Sequence, residues 1–428
     1  MNDDIRPPQR PKIKTPKSPP PESANPLPPK PALPPKPDFV LEDALAKPER
    51  VRGASNFSKN PVKNLKNLHP KHWYNLSRAE KFMTLGGFFI ILVAVWVAGL
   101  VLYTHVVGEP PSIIVHKKHA PAAPATVASP LTGLQVDPAL AKRPVTAIMI
   151  ENSLDARPQS GLQDAGVVFE AIAEGGVTRF MGLFQETQPQ YIGPVRSLRP
   201  YYIHFAEPFD ASIAHVGGSP DALAEIRNGG KDLDQFFNSG AYWRQPTRPA
   251  PHNVYTSFAR LDALNAKKGY TSSNVQSWDR KKDSPLKVPT AKTISMRISG
   301  VYYDPSYVYN PTTNSYLRSE NKAAHINVTS ATDKTGVQLQ PKVVIALVMG
   351  LSNGALDASG AYYSDYQDTG SGTAFVFQDG GVTEGSWTKT DNSSQFVFTD
   401  TTGKEIKLDA GQTWVSIVTS ASAVTYAP

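Results

Sequence analysis

The hydrophobic pattern divides the chain into a polar N-terminal stretch, one long apolar run and a remainder of short apolar segments. The run from Leu85 to Tyr103 has 19 residues and no charged side chain. At the helical rise per residue, this length spans the ~30 Å hydrocarbon core of a bilayer. The run starts too far into the chain, and is too long, to be a signal peptide. We therefore predict one transmembrane helix over residues 82–107.

Beyond the apolar run, residues 131–285 alternate between apolar segments and helical signals, which predicts a mixed α/β domain. Ser219, Pro220 and Asp221 are typical of a helix start, and Gly229 of its end. A second helix is predicted from Thr256, as its cap, to Lys268. Four apolar runs predict strands: Val145–Ile150, Val167–Ala173, Phe180–Gln185 and Ala211–Val216.

Residues 286–428 contain short strand signals separated by turn residues, which predicts a β-rich domain and an α+β fold class overall. Trp387 and Trp414 are expected in its core, whereas His325, Asp365 and Asp368 are expected in turns or on the surface. The predicted strands are a hairpin of Tyr307–Tyr309 and Ser315–Arg318, then Val343–Val348, Ala374–Gln378, Gln395–Thr399 and Trp414–Val418.

Charge is concentrated at one end of the chain. Residues 1–81 hold 17 of the 39 prolines and 16 Lys or Arg against 8 Asp or Glu, so the rest of the chain is nearly neutral. This composition predicts a disordered, basic, proline-rich tail, and it removes the argument for nucleic-acid binding by the folded part. The positive-inside bias places the tail in the cytoplasm and the domains outside the cell membrane, behind an Ala/Pro linker of residues 108–130. The tail either lies near lipid headgroups or binds a cytoplasmic partner.

Several classes of site are excluded or left without a signal. The chain has no cysteine, so it can form neither disulfides nor thiolate sites. It also shows no nucleophile elbow, phosphate-binding loop, dinucleotide-binding glycines or zinc-protease motif. We therefore predict no cofactor and no metal.

Polar residues beside glycine and proline form the candidate site instead. Arg196 and Arg199 could meet on one face of a helical turn, next to the strand-to-helix junction after His215, and hold an anion there. Alternatively, the arginines pair with Glu170, Glu174 and Asp210 in an internal ion network. Glu170 lies inside an apolar strand and so needs an arginine partner or an unusual pKa. The candidate ligand-binding residues are Arg179, Arg196, Arg199, Gly217, Gly218, Ser219, His252 and Asn253.

Five motifs resemble the YerB-like family, a bacterial family of candidate lipoproteins built on a domain of unknown function. The resemblance covers nearly all of residues 131–418 and includes the family's second domain. It implies an outward-facing domain held at a membrane, here by a protein span since no cysteine can carry lipid. The motifs are Arg157–Gly161, Glu174–Phe180, Gly193–Pro200, His215–Ser219 and Pro251–Asn253.

Three hypotheses about function follow, and whether the protein is an enzyme stays open. The favoured one is binding of an anionic envelope ligand, such as a peptidoglycan carboxylate or a wall-polymer phosphate. The second is a glycan-cleaving enzyme with Glu174 as general acid/base and Asp210 or His215 assisting. The third is a scaffold for an envelope complex, with the tail as its cytoplasmic contact.

Overall fold

The computed structural model describes residues 77–107 and 125–428. The chain divides into two compact units, and the boundary lies between His116 and Lys117. Most of the predicted tail and most of the predicted linker lie outside the described residues, so both stay predictions.

The apolar run forms helix α1, Arg78–Val107, which starts four residues before the predicted span. Within it, the 26 residues Lys81–Val106 are long and apolar enough to cross a membrane. Their length at the helical rise, about 39 Å, exceeds the hydrocarbon thickness of about 30 Å. The helix is confirmed, and its position in a bilayer stays a prediction.

The described residues of the first half of the second unit alternate short helices and strands, as predicted. Its helices are α2 Pro138–Ala141, α3 Pro200–Ala206, α4 Pro220–Arg227 and α5 Phe258–Lys268, with 3-10 turns at Leu154–Ala156, Leu162–Asp164, Glu207–Phe209 and Ser239–Ala241. Its strands are β1 Val127–Ala128, β2 Gln135–Val136, β3 Thr146–Glu151, β4 Val167–Glu174, β5 Val177–Phe184, β6 Ser212–Ala214, β7 Tyr242–Arg244, β8 Val254–Thr256 and β9 Arg280–Lys281.

The second half is built from strands, which confirms the α+β class and the β-rich C-terminal region. Only a 3-10 turn at Ala421–Ala423 interrupts them. The strands are β10 Thr293–Met296, β11 Pro305–Asn310, β12 Ser315–Glu320, β13 Ala323–Ala324, β14 Ile326–Asn327, β15 Val337–Gln338, β16 Val343–Val348, β17 Leu351–Leu356, β18 Tyr362–Tyr366, β19 Gly370–Gln378, β20 Gly381–Lys389, β21 Val397–Asp400, β22 Leu408–Asp409, β23 Thr413–Val418 and β24 Val424–Ala427.

One large mixed sheet combines strands from both halves, in the order β21-β20-β19-β16-β23-β4-β5-β3-β6. The join is the parallel pairing of β23 with β4, in which Ser416 lies opposite Glu170. A second sheet has the order β13-β12-β11-β10-β24. The main sheet therefore crosses the domain boundary predicted at residue 285, and that boundary stays a prediction.

The central strands of the main sheet are buried on both faces. Successive side chains of a strand point to opposite faces. In β3, Ala147 and Met149 enter one apolar cluster, while Ile148 and Ile150 enter the other. This is why the central strands read as continuous apolar runs rather than as alternating ones.

Two details of the sequence prediction are wrong. Thr256 is the last residue of β8, so Ser257 and not Thr256 precedes helix α5. The strand predicted over Ala211–Val216 is only Ser212–Ala214, because the chain turns at Asp210 and again at Gly217, where φ is positive. Trp387 and Trp414 are core residues, as expected.

Candidate functional site

An open pocket of about 670 Å³ gathers several of the predicted ligand-binding residues. Arg196 lines it, together with the backbone of Gly217 and Gly218. Structure adds two arginines, Arg227 and Arg244, and two phenylalanines, Phe236 and Phe237. We call this site the basic pocket.

The Gly217–Gly218 wall depends on local backbone geometry. Gly217 has a φ of +60°, and a Cβ atom there would lie 3.1 Å from the ring of Phe236. Ser219 caps helix α4 by accepting a hydrogen bond from the Ala222 N–H. Leu198 pairs with the residues on either side of Gly218: its N–H donates to Gly217 O, and its carbonyl accepts from the Ser219 N–H. The Gly218 N–H takes no part in these two hydrogen bonds. Glycine therefore permits both the turn and the close approach of Phe236.

The three arginines carry more charge than their carboxylate partners neutralise. Arg227 pairs with Asp234 at 3.1 Å, and Arg196 Nε lies 3.3 Å from Glu151 Oε1. Arg244 donates only to the amide oxygen of Asn253, at 2.8 Å, and no carboxylate of the described residues is within ion-pair distance of it. Three guanidinium groups against two carboxylates leave a formal charge of +1, which suits a monoanionic ligand.

Asp234 connects three parts of the pocket through hydrogen bonds. Its carboxylate is fully buried, and Oδ1 accepts hydrogen bonds from the N–H groups of Gly217 and Phe236, each at 3.1 Å. Its other oxygen accepts from Arg227. One buried carboxylate thus fixes the glycine turn, one arginine and the loop that carries Phe236.

Beside the pocket lies a polar cluster around Glu151, which the sequence analysis missed, although it includes the predicted residues Arg196 and His252. Glu151 is only 4% exposed, and its Oε1 accepts a hydrogen bond from Ser153 Oγ at 3.1 Å and lies 2.9 Å from His252 Nδ1. The same oxygen is the partner of Arg196. The sequence could have indicated Glu151, because it is a carboxylate at the end of the apolar strand β3, and the same argument was applied to Glu170.

Glu174 lies in a different cluster, with Arg179 and Arg199. Arg179 Nη2 is 2.6 Å from Glu174 Oε1, and Arg199 pairs with the other carboxylate oxygen. Burial alone would raise the pKa of Glu174, but the two guanidinium charges outweigh it and lower the pKa. Glu174, Arg179 and Arg199 therefore form an ion-pair group and do not line the basic pocket. Of the alternative prediction only the Arg199–Glu174 pair is present, because Arg196 pairs with Glu151, Glu170 with Arg318 and Asp210 with Lys231.

Asp210 and His215 are not brought together. They flank opposite ends of β6 and have different partners. Asp210 pairs with Lys231 at 2.7 Å. His215 is fully buried, with Nδ1 2.8 Å from Gly217 O and Nε2 3.0 Å from Asp232 Oδ1. His215 thus contacts the carbonyl of the glycine turn and does not itself line the basic pocket.

Comparison with known proteins agrees with the resemblance seen in the sequence. Residues 131–271 match the N-terminal domain of a protein family of unknown function, DUF3048, and residues 294–415 match its C-terminal domain. This chain belongs to the YerB-like family.

One YerB-like relative is YerB, a candidate lipoprotein of Bacillus subtilis (strain 168). The two sequences are 29% identical over 310 residues, which is 71% of this chain and 89% of YerB. A crystal structure of YerB is similar to this chain with a TM-score of 0.62 at 27% identity, and it covers 71% of this chain and 100% of YerB as crystallised. The similarity extends across the β-rich half.

Apart from the pocket, this chain has a buried network around Arg318. This side chain is fully buried and donates to Glu170 Oε1 at 2.8 Å and to His325 Nδ1 at 2.9 Å. Of the two predicted possibilities for Glu170, an arginine partner or an unusual pKa, the structure shows the arginine partner, Arg318. Arg157, from the first motif, pairs with Glu320 of the same network at 3.2 Å.

The surface positions expected for two polar residues of the second half are wrong. His325 is buried in the Arg318 network, and Asp368 is buried against His204, whose Nδ1 lies 2.5 Å from Asp368 Oδ2. Asp365 is exposed, as expected. Isolated polar residues in a β-rich sequence give no signal of partners that lie far away along the chain.

Within residues 77–107 and 125–428, no group of three or more His, Asp or Glu side chains is arranged to hold a metal ion. The prediction of no metal or cofactor stays a prediction.

Proposed function

We propose that the basic pocket binds a monoanionic group of a cell-wall or envelope polymer. The observation that supports it best is Arg244, an exposed guanidinium whose only hydrogen-bond partner among the described residues is the neutral Asn253 amide. The neighbouring Arg196 and Arg227 each lie within ion-pair distance of a carboxylate, so their charges are already partly balanced within the chain. A carboxylate or a phosphodiester would complete the charge balance.

The proposed location is the outer face of the cell membrane, with residues 82–107 as the anchor. Three observations support it: the apolar length of α1, the lysine and arginine bias before it, and a relative described as a candidate lipoprotein. In this arrangement the proline-rich tail is cytoplasmic and residues 131–428 face the cell wall.

The enzyme alternative finds less support in the geometry. A general acid for glycan cleavage needs a raised pKa, whereas the pKa of Glu174 is lowered by Arg179 and Arg199. Asp210 pairs with Lys231, and His215 contacts Gly217 and Asp232, so neither is paired with Glu174. The scaffold alternative depends on the tail, most of which lies outside the described residues.

The proposal is tested by sedimenting the full chain, in mild detergent, with purified cell wall. Arg244→Ala is the test variant. Arg297→Ala is its matched control, because Arg297 is also exposed and donates only to a neutral oxygen, the Ser422 carbonyl, outside the pocket. Walls with and without phosphate polymers distinguish a phosphate ligand from a peptidoglycan carboxylate.

Arg244→Ala should weaken wall binding about tenfold or more, because a charge-assisted hydrogen bond is worth about 1.5–3 kcal/mol. Arg297→Ala should bind like the unmodified protein. Equal binding by all three proteins, or equal loss in both variants, contradicts the proposal.

A further inference from the structure

Phe236 and Phe237 are the most exposed aromatic side chains of residues 125–428. Their exposures are 69% and 72%, and the next aromatic side chain, Tyr302, is 52% exposed. Isolated exposed apolar residues are ordinary, but two large adjacent ones beside charged groups are typical of a binding surface. These two therefore need an explanation that the anion-binding arginines do not supply.

The backbone that carries the two rings is held by hydrogen bonds to Asp234. Asp234 accepts a hydrogen bond from the Phe236 N–H at 3.1 Å, and the Phe237 N–H donates to the Asp234 carbonyl at 3.2 Å. The Asn238 side chain also donates to that carbonyl, at 2.8 Å. Since Asp234 is fully buried, the loop is tied to the body of the domain.

The rings are also adjacent to the charged groups. The Arg227 guanidinium lies 5.0 Å from the centre of the Phe237 ring, and the Phe236 ring covers Gly217 closely enough that a Cβ atom would be 3.1 Å away. Both phenylalanines share the pocket with Arg196 and Arg244. An occupant that reaches Arg244 therefore meets flat apolar surfaces as well as positive charge.

We propose that the basic pocket recognises an acidic saccharide, with the sugar ring against Phe236 and Phe237 and its acidic group at Arg244. This rests on the proposed function and narrows it to one ligand class. A sugar ring has a face of C–H groups and a rim of hydroxyls, which matches flat aromatic walls with a few polar groups among them. An acidic peptide or a polyol phosphate offers the charge without the ring.

A bilayer is the other partner that aromatic and basic side chains together would suit. The geometry favours the saccharide, because Phe236 lies against the glycine turn as a wall of a concave site. A membrane contact would instead require the rings to project away from the domain.

The test uses the full chain in phosphatidylcholine nanodiscs and two oligomers with four side-chain or ring carboxylates each. One is a tetramer of galacturonic acid and the other is tetraglutamate, which lacks sugar rings. Phosphatidylglycerol vesicles are the third ligand. The variants are the double substitution Phe236→Ala with Phe237→Ala, Arg244→Ala, and Tyr302→Ala as an exposed aromatic control outside the pocket.

We expect the saccharide to bind about tenfold tighter than tetraglutamate, and the double phenylalanine variant to lose that advantage. Tetraglutamate binding should change less than about twofold in that variant, whereas Arg244→Ala should weaken both oligomers. Tyr302→Ala should leave both affinities unchanged. Unchanged thermal unfolding of each variant, expected for exposed positions, shows that the effects are local.

Other results overturn the inference in distinguishable ways. If both oligomers bind equally and depend equally on Arg244, the saccharide inference fails and the anion-binding proposal stands. If the phenylalanines matter only for the lipid vesicles, the partner is a membrane. If neither oligomer binds, the saccharide inference fails. If, in addition, Arg244→Ala leaves cell-wall binding unchanged, the proposed function fails as well.

Discussion

The buried Arg318 network and the basic pocket use the same residue types in opposite ways. Arg318 is fully buried, and its three nitrogens donate to His325, Tyr307 and Glu170. Arg244 is exposed and donates from one nitrogen to one neutral oxygen. Burial makes every unsatisfied charge costly, so the network must be complete within the chain, whereas the pocket can keep donors for a ligand. Arg318 is thus satisfied within the chain, whereas Arg244, in the pocket, keeps donors that a ligand can use.

The largest expected effect comes from breaking the buried network with Arg318→Met. It should lower the free energy of unfolding by about 3–5 kcal/mol, because Glu170 is left buried without its cation. Denaturant unfolding of the full chain in mild detergent measures this, and Lys287→Met, at an exposed position, should change it by less than about 0.5 kcal/mol.

Adding Glu170→Gln to Arg318→Met sharpens the comparison. The double variant should recover part of the lost stability, since the unpaired charge is gone. A double variant whose loss equals the sum of the single losses would show that the two groups do not interact, which contradicts the network.

Glu174→Gln should have the next largest effect, about 1–3 kcal/mol, because Glu174 is partly exposed while Arg179 is buried. The pKa of Glu174 is lowered in the folded protein, so its contribution is present above the unfolded value of about 4.3 and is lost as the pH falls through the folded value. The difference from the unmodified protein should therefore shrink below about pH 4.

Wall binding by Glu174→Gln distinguishes a structural role of Glu174 from a catalytic one. Glu174→Gln should retain the wall affinity of the unmodified protein at a temperature where both are folded. Release of wall fragments by the unmodified protein, abolished in Glu174→Gln, would instead support the glycan-cleaving alternative.

The smallest expected effect is at His204, a paired group outside both regions. Burial would lower its pKa, but hydrogen bonds with Asp368 and Glu225 outweigh burial and raise the pKa to about 9. Its ion pairs therefore stabilise the fold fully below about pH 6.5, and this stabilisation is lost as the pH rises through about 9. His204→Gln should cost about 1 kcal/mol at pH 6, allowing for solvent screening, and the difference should narrow by pH 10. A loss that is independent of pH would contradict a charged His204.

The sequence predicted what depends on local pattern. The α1 helix, the strands around Val167 and Phe180, and the Ser219 cap follow from apolar periodicity and turn residues close in sequence. The partner of Glu170 could not be predicted, because Arg318 is 148 residues away and lies on β12, in the other sheet.

The candidate site was predicted only in part, because local sequence pattern does not reveal contacts between distant segments. Arg196, Gly217 and Gly218 were found because glycine and arginine cluster locally. Arg244 and Phe236 lie on segments with no such signal, and only the fold brings them to the glycine turn. Arg199 does not line the pocket with Arg196 and pairs instead with Glu174, at the end of β4.

Hydrogen exchange of the full chain with and without the galacturonic acid tetramer tests the central claim most directly, because it locates the ligand without a substitution. We predict slower exchange of the backbone amides of residues 215–219 and 234–238, and no change around Arg318. Protection confined to other segments, or equal exchange in both states under conditions where the tetramer is bound, would contradict the basic pocket as the binding site.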